Sequence, residues 1–164
     1  MNCICFRKKD KKKGIKNMSK LITPNNDNLT KIKTEDGEEI DMVKNGKFLV
    51  CDDASTNRMV LRRYLELKQC KVDEANNGYD AIEKIKENGI YDIIWMDIQM
   101  PKMDGLSAAK KIRNEYNYTG TIIGLTGYVD PKSFKDCLEA GMNHVISKPI
   151  DKNVLYMYVD KYGS

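Results

Sequence analysis

Residues 93–105 read IIWMDIQMPKMDG and indicate the fold more strongly than any other stretch of the chain. The segment 92–96, which is apolar after Asp92, has the length of a strand and predicts a buried, central β-strand. Asp97 stands where that strand ends, and a proline-containing loop follows it. Residues 105–116 then repeat apolar side chains at helical spacing. The stretch therefore predicts a strand, a loop and a helix in succession, with a carboxylate at the end of the strand.

The same alternation of short apolar runs and helical segments continues over residues 46–164. The other predicted strands are 48–51, 71–75, 121–125 and 144–147. The other predicted helices are 55–69, the segment between Asn77-Gly78 and Asn88-Gly89, the segment between Asp130-Pro131 and Gly141, and 151–161. Five such βα repeats require an α/β fold with a doubly wound parallel sheet and helices on both faces. We expect Val60, Leu61, Tyr64, Leu65 and Leu67 to lie near one side of the first helix, and Phe134, Leu138, Val154 and Tyr158 to lie mostly in the core.

Four of the five predicted strands end in a residue that can carry charge or donate a hydrogen bond. These residues are Asp52 and Asp53, Asp97, Thr126, and Lys148. In a doubly wound sheet the ligand site lies beyond the carboxyl ends of the strands, where the strand order reverses. The hydrophilic character of ordinary loops explains one such residue easily, but it explains the whole set poorly.

Asp52, Asp53 and Asp97 are expected to crowd three carboxylates together, because adjacent strands lie about 4.8 Å apart. Such carboxylates repel one another unless a cation intervenes, and a few carboxylates with retained waters describe a Mg²⁺ site. Beside Mg²⁺, Asp97 can attack phosphorus as a nucleophile. Lys148 can neutralise the phosphoryl oxygens, and Thr126 can donate a hydrogen bond to them. The residues predict phosphoryl transfer to Asp97 with Mg²⁺ as cofactor.

Four motifs in this order resemble those of a response-regulator receiver domain of the CheY-like superfamily. They are Phe48-Leu49-Val50-Cys51-Asp52-Asp53, Asp97-Ile98-Gln99-Met100-Pro101-Lys102-Met103-Asp104-Gly105, Leu125-Thr126 and Ser147-Lys148-Pro149-Ile150. The resemblance covers residues 46–164. This part of the chain is similar to the receivers of hybrid histidine kinases. The resemblance implies a flavodoxin-like (βα)5 fold with strand order 2-1-3-4-5. It also implies phosphorelay signalling, with a histidine kinase or a histidine phosphotransfer protein as phosphodonor.

The resemblance assigns a role to each acidic residue. It makes Asp97 the phosphoacceptor and Asp53 a direct Mg²⁺ ligand. Asp52 acts mainly through a coordinated water, and the backbone carbonyl of Gln99 supplies another ligand. The domain catalyses only its own phosphorylation and slow dephosphorylation, so we do not expect a conventional enzyme.

The resemblance also implies how phosphorylation is sensed. Lys148 pairs with the phosphate, its peptide bond to Pro149 is cis, and Thr126 is the switch hydroxyl. Relatives often carry an aromatic residue where this chain has Val145, and the rotamer of that residue reports phosphorylation. In this chain the switch could run through backbone shifts instead. Gly127 stands where relatives commonly have alanine. Because glycine is small, it leaves the phosphorylation pocket open. A downstream partner is expected on the last two helices and the fifth strand.

Positive charge is concentrated in residues 1–20, at the start of the segment that we call the leader. Residues 1–20 hold eight of the 28 Lys and Arg and one of the 24 acidic residues, a net charge of +7. The remaining 20 basic and 23 acidic residues give the rest of the chain −3. Nucleic-acid binding by the folded domain is therefore not indicated. Residues 1–45 are basic and then polar, and they predict a disordered leader and linker.

Three interpretations of the leader remain open. Cys3 and Cys5 beside the basic cluster could be S-acylated and hold the chain on anionic lipid. The leader could instead be a nuclear-import signal or merely a disordered tail, and Met18 could replace Met1 as the start. An odd number of cysteines without framework spacing favours a reduced, cytoplasmic protein, with the inner membrane face or the nucleus as alternatives.

Other functions fit the residues less well. The chain could be the C-terminal receiver of a hybrid histidine kinase, or a scaffold that binds partners without being phosphorylated. A small Mg²⁺-dependent phosphohydrolase with an aspartate nucleophile needs a general acid two residues after the nucleophile, where Gln99 stands. His144, the single histidine, is expected to be structural or exposed, not a phosphodonor.

Overall fold

A computed structural model describes residues 30–33, 39–42, 46–128 and 130–163 of the chain. The interpretations of the leader that involve Cys3, Cys5 and Met18 lie outside these residues. Within the predicted linker, β1 (Thr30–Lys33) and β2 (Glu39–Met42) form an antiparallel pair. The pair flanks Asp36-Gly37, a dipeptide typical of hairpin turns.

A five-stranded parallel sheet forms the centre of the remaining chain. Its strands are β3 (Lys47–Cys51), β4 (Lys71–Ala75), β5 (Ile93–Asp97), β6 (Thr121–Thr126) and β7 (His144–Ser147). Its helices are α1 (Ser55–Leu67), α2 (Gly78–Asn88), α3 (Gly105–Tyr116), α4 (Pro131–Glu139) and α5 (Lys152–Tyr162). The strand order β4-β3-β5-β6-β7 is 2-1-3-4-5 when only this sheet is counted, so the predicted flavodoxin-like fold is confirmed.

The core has two halves, one on each face of the sheet. Leu49, Ile94 and Met96 face a cluster that also contains Ile82 and Ile112 from α2 and α3. Phe48, Val50 and Trp95 face the opposite cluster, which includes Leu61 and Leu65 of α1 and Leu155 of α5. Every residue of β5 is buried, as expected for the central strand. This strand therefore fixes Asp97 at the middle of the sheet edge.

Four helices begin at residues whose side chains accept hydrogen bonds from free backbone N–H groups. These N-caps are Asn77, Asp104, Asp130 and Asp151. Such caps stabilise a helix by about 1 kcal/mol each. The predicted helix 55–69 ends earlier, at Leu67, because Gln69 adopts a left-handed conformation with φ 61°.

Four helix residues predicted for the core are instead partly exposed to solvent. Val60 is 49% exposed and Leu67 is 54% exposed, because α1 contacts the sheet through Leu61 and Leu65. Phe134 and Leu138 of α4 are 43% and 44% exposed, since the buried residue of this short helix is Cys137. The predictions for these four residues were wrong, whereas Leu61 and Leu65 of the same predicted side are buried. Both helices therefore present apolar side chains to solvent.

Among the residues that the structure describes, no helix has both the length and the apolar character needed to cross a bilayer.

Gly105 allows α3 to begin directly against the end of β5. A Cβ atom at this position would lie 2.1 Å from the carbonyl oxygen of Asp97. We expect Gly105→Ala to lower the free energy of unfolding by about 1–3 kcal/mol, because backbone must move to relieve the clash. Urea unfolding followed by circular dichroism measures this change.

Gly127→Ala is the matched control, since a Cβ at Gly127 would meet nothing within 4 Å. Its free energy of unfolding should stay within about 0.5 kcal/mol of the wild type. Equal stabilities of the two variants would contradict the tight approach at Gly105.

Candidate functional site

Three carboxylates meet at the carboxyl ends of the two neighbouring strands β3 and β5. Asp52 and Asp53 follow β3, and Asp97 is the last residue of β5. One oxygen from each carboxylate lies within 4.8 Å of the other two. Asp52 is fully buried and Asp97 is 5% exposed, whereas Asp53 is open to solvent. We refer to Asp52, Asp53 and Asp97 as the acidic cluster.

Lys148 supplies positive charge to the acidic cluster. It follows β7, and its side chain reaches back so that Nζ lies 2.6 Å from Oδ2 of Asp52 and 2.7 Å from Oδ2 of Asp97. The backbone N–H of Lys148 donates to the carbonyl of Thr126 at 2.7 Å, which ties the lysine to the end of β6. The peptide bond between Lys148 and Pro149 is cis. The two contacts place one ammonium group between two buried carboxylates.

Burial and charge shift the protonation of both partners. Loss of hydration raises the pKa of Asp97 above its ordinary value, and the hydrogen bond from Lys148 opposes that rise. Burial lowers the pKa of Lys148, but its hydrogen bonds to Asp52 and Asp97 outweigh burial and raise the pKa overall. Lys148 therefore stays protonated at neutral pH, which keeps an ammonium beside the carboxylate of Asp97.

Thr126 lies at the end of β6, beside Asp97 in the sheet. Its buried hydroxyl donates to the carbonyl of Tyr128 at 2.8 Å and accepts from the backbone N–H of Tyr128 at 3.2 Å. Gly127 faces open space, in agreement with the open pocket expected there. Val145 is partly buried against the core cluster on one face of the sheet. In this arrangement the threonine hydroxyl bonds to the loop after β6 and not to the acidic cluster.

The loop after β5 forms one wall of the site. The backbone N–H of Gln99 donates to Oδ1 of Asp97 at 3.2 Å, and the N–H of Gly105 closes the loop on the carbonyl of Ile98 at 2.9 Å. An open groove of about 650 Å³ runs past Asp53 and this loop. A second groove of about 290 Å³ lies between the loop and the segment 126–128. The acidic cluster is therefore reached from solvent beside Asp53.

Two further side chains that the sequence analysis missed contact the acidic residues. The Asn57 amide donates to both carboxylate oxygens of Asp52, each at 3.1 Å. Arg58 donates to the backbone carbonyls of Asp52 and Asp53 at 2.7 and 3.1 Å. Asn57 and Arg58 both lie in the first turn of α1. Their position shortly after a strand that ends in two acidic residues was the signal that could have identified them.

The donor set fits a divalent cation. Three carboxylate oxygens gathered within 4.8 Å are hard ligands of the kind that Mg²⁺ prefers, and the exposed side of Asp53 leaves room for the waters that Mg²⁺ retains. The ammonium of Lys148 between Asp52 and Asp97 shows that the cluster already attracts positive charge. Asp52, Asp53 and Asp97 are the residues that could hold the ion.

Comparison with known sequences identifies a family for most of the chain. A family model described as the response regulator receiver domain matches residues 48–160. The osmosensing histidine protein kinase SLN1 of Saccharomyces cerevisiae is 38% identical over 130 residues, which are 76% of this chain and 10% of that protein. The sensor protein EvgS of Escherichia coli K12 is 36% identical over 113 residues, 69% of this chain and 9% of that protein. The chain thus spans about a tenth of the length of these relatives.

Solved structures give the same result. A two-component response regulator from Clostridium difficile is 32% identical, with a TM-score of 0.67 over 71% of this chain and 94% of that chain. The receiver domain of the response regulator Ssk1 of Saccharomyces cerevisiae, solved in complex with the histidine phosphotransfer protein Ypd1, is 26% identical. Its TM-score is 0.67 over 71% of this chain and 88% of that chain. With the fold, the acidic cluster and Lys148 in place, the chain belongs to the family of response-regulator receiver domains.

Proposed function

We propose that this chain is a phosphoacceptor of a phosphorelay and signals by a change in partner binding. The observation that carries the proposal is the ammonium of Lys148 held 2.6 and 2.7 Å from the carboxylates of Asp52 and Asp97, within the acidic cluster. A carboxylate oxygen of Asp97 attacks the phosphorus of a phosphohistidine, the P–N bond breaks, and the imidazole nitrogen keeps the electron pair. The product is an aspartyl phosphate, a mixed anhydride.

Each residue near Asp97 has a separate task in this reaction. Lys148 stays protonated and neutralises phosphoryl oxygens as negative charge moves onto Asp97. The Thr126 hydroxyl gives up its bond to Tyr128 and donates to the phosphate, which links phosphorylation to the loop after β6. The acidic cluster, with the backbone carbonyl of Gln99, would hold Mg²⁺, which when bound neutralises charge on the transferring group.

A phosphodonor protein has to approach beside Asp53, where the acidic cluster is open to solvent. Met59 and Val60, in the first half of α1, are apolar side chains that are 63% and 49% exposed, and α1 begins at Ser55, two residues after Asp53. Among the relatives, the Ssk1 receiver is solved with the phosphotransfer protein Ypd1. These observations support docking of a histidine phosphotransfer protein or a histidine kinase on α1.

A downstream partner has a different surface available. Phe134 and Leu138 on α4 and Met157 on α5 are exposed apolar side chains, 43%, 44% and 58% exposed. We propose that α4, β7 and α5 carry the signal outward; Val145 of β7 packs against the core cluster that includes Cys137 of α4. For the basic leader with Cys3 and Cys5, a membrane anchor, a nuclear-import signal and a disordered tail all stay predictions from the sequence.

Phosphorylation of Asp97 is tested with acetyl phosphate and Mg²⁺. The wild-type chain should gain one phosphoryl mass that is stable in acid and labile in base, as expected for an acyl phosphate. Asp97→Asn should abolish this gain, measured by mass spectrometry of the intact protein.

Asp104→Asn is the matched control, because Asp104 lies in the same loop and caps α3 through the N–H of Ser107, a role that asparagine also fills. It should be phosphorylated like the wild type. Labelling that persists in Asp97→Asn would disprove the proposed acceptor.

The role of Lys148 is tested with Lys148→Met, which keeps an aliphatic side chain but removes the ammonium. We expect the rate of phosphorylation at saturating Mg²⁺ to fall roughly a hundredfold, as when one preorganised donor to developing charge is lost. Lys110→Met, an exposed lysine of α3, should react at the wild-type rate. Equal rates of the two variants would exclude a role of the ammonium in the transfer.

Docking on α1 is tested with Met59→Asp and its control Met157→Asp, two methionines of similar exposure on α1 and α5. A charge in an apolar interface is costly, so Met59→Asp should slow transfer from a phosphorylated histidine phosphotransfer protein about tenfold or more. It should leave the rate with acetyl phosphate unchanged. Slowing by Met157→Asp instead would place the donor on α5.

A further inference from the structure

Arg58 contacts the main chain beneath the acidic cluster. One of its terminal nitrogens, Nη1, donates to the carbonyl oxygens of both Asp52 and Asp53, at 2.7 and 3.1 Å. Its Nε donates to the carboxylate of Glu74 on β4 at 3.0 Å, and its side chain is only 16% exposed. The guanidinium thus joins the end of β3, the start of α1 and the neighbouring strand β4.

This arrangement fixes the peptide unit that carries the acidic side chains. Two consecutive carbonyls bound by one nitrogen cannot rotate independently, so the peptide between Asp52 and Asp53 is held in one orientation. The Asn57 amide and the backbone N–H of Ala54 also donate hydrogen bonds to the Asp52 carboxylate. Groups that orient metal-binding side chains in this way commonly change metal affinity tenfold or more when they are removed.

We propose that Arg58 is a positioning residue for the divalent-cation site: it holds the backbone of Asp52 and Asp53 so that both carboxylates are arranged before the ion binds. This inference rests on the proposed function and deepens it. Glu74 completes the arrangement by orienting the guanidinium through Nε. Arg62 also binds Glu74, at 3.1 Å. Its second partner is Glu66 on the same helix, not a residue of the acidic cluster.

Charge alone makes the opposite prediction. Arg58 is a cation close to a cation site, so its removal would strengthen Mg²⁺ binding if it acted only through the electrostatic field. A positioning role predicts that Mg²⁺ binding weakens, because the ion must then order the backbone that carries its ligands. The sign of the change in Mg²⁺ affinity therefore separates the two explanations.

The test compares Arg58→Met with its matched control Arg62→Met in the full chain. Both variants remove one arginine of α1 that binds Glu74, but only the first removes the contacts to Asp52 and Asp53. Mg²⁺ is titrated alone, and amide chemical shifts in ¹H–¹⁵N NMR spectra give the dissociation constant. We expect Arg58→Met to raise the dissociation constant about tenfold and Arg62→Met to leave it within about twofold of the wild type.

Kinetics provide a second readout. With acetyl phosphate, Arg58→Met should raise the Mg²⁺ concentration at half-maximal rate while the rate at saturating Mg²⁺ stays close to that of the wild type. A general loss of structure would instead lower the saturated rate and disperse the spectrum without the ion. Unchanged or tighter Mg²⁺ binding in Arg58→Met overturns the inference, and so does equal weakening in Arg62→Met.

A milder variant covers the case in which Arg58→Met does not fold. Glu74→Gln leaves the guanidinium in place but removes the charge that orients it, so the dissociation constant for Mg²⁺ should rise about twofold to threefold. An unchanged dissociation constant for Mg²⁺ in Glu74→Gln would count against a positioning role for Arg58. If the wild type itself neither binds Mg²⁺ nor forms the aspartyl phosphate, the proposed function fails. If the wild type binds Mg²⁺ and the Arg58 variant binds it equally well, only the inference about Arg58 fails.

Discussion

Repulsion among three carboxylates is the constraint on which this structure depends. Asp52, Asp53 and Asp97 have oxygens within 4.8 Å of one another, and two of these residues are buried. Like charges at such distances raise one another's proton affinity unless positive charge is close. Lys148 supplies one ammonium to Asp52 and Asp97, while Asp53 faces solvent, where a divalent ion can enter. The unequal exposure of the three acids thus places the Lys148 ammonium on the buried side and leaves the side of Asp53 open for the proposed ion.

The parallel sheet makes this concentration of charge tolerable. Apolar residues of β3 and β5 are buried on both faces, and the polar groups appear only where the strands end. Gly105 lets α3 start against the backbone of Asp97, and Arg58 ties the end of β3 to β4. A rigid sheet edge can hold the proposed nucleophile, its counterion and the proposed metal ligands in fixed relation before any phosphodonor arrives.

Most of the fold followed from the sequence because apolar periodicity and strand-end residues are local signals. The five strands and the meeting of Asp52, Asp53, Asp97 and Lys148 at one edge were predicted from these signals, whereas the order of the sheet was implied by the resemblance to receiver domains. Contacts that depend on the rotation of a helix were not: Val60 and Phe134 are apolar at helical spacing, yet they face solvent. Arg58 was missed because its partners are main-chain carbonyls, which any sequence has, and only the turn into α1 brings them together.

The most direct test of the central claim is a crystal structure of the wild-type chain grown with Mn²⁺ in place of Mg²⁺. We expect one anomalous difference peak among the carboxylates of Asp52, Asp53 and Asp97, at about 2.0–2.3 Å from their ligand oxygens or from bridging waters. Lys148 should then contact Asp97 without blocking the ion. A fully loaded crystal whose manganese lies elsewhere, with Lys148 still bridging Asp52 and Asp97, would contradict the account.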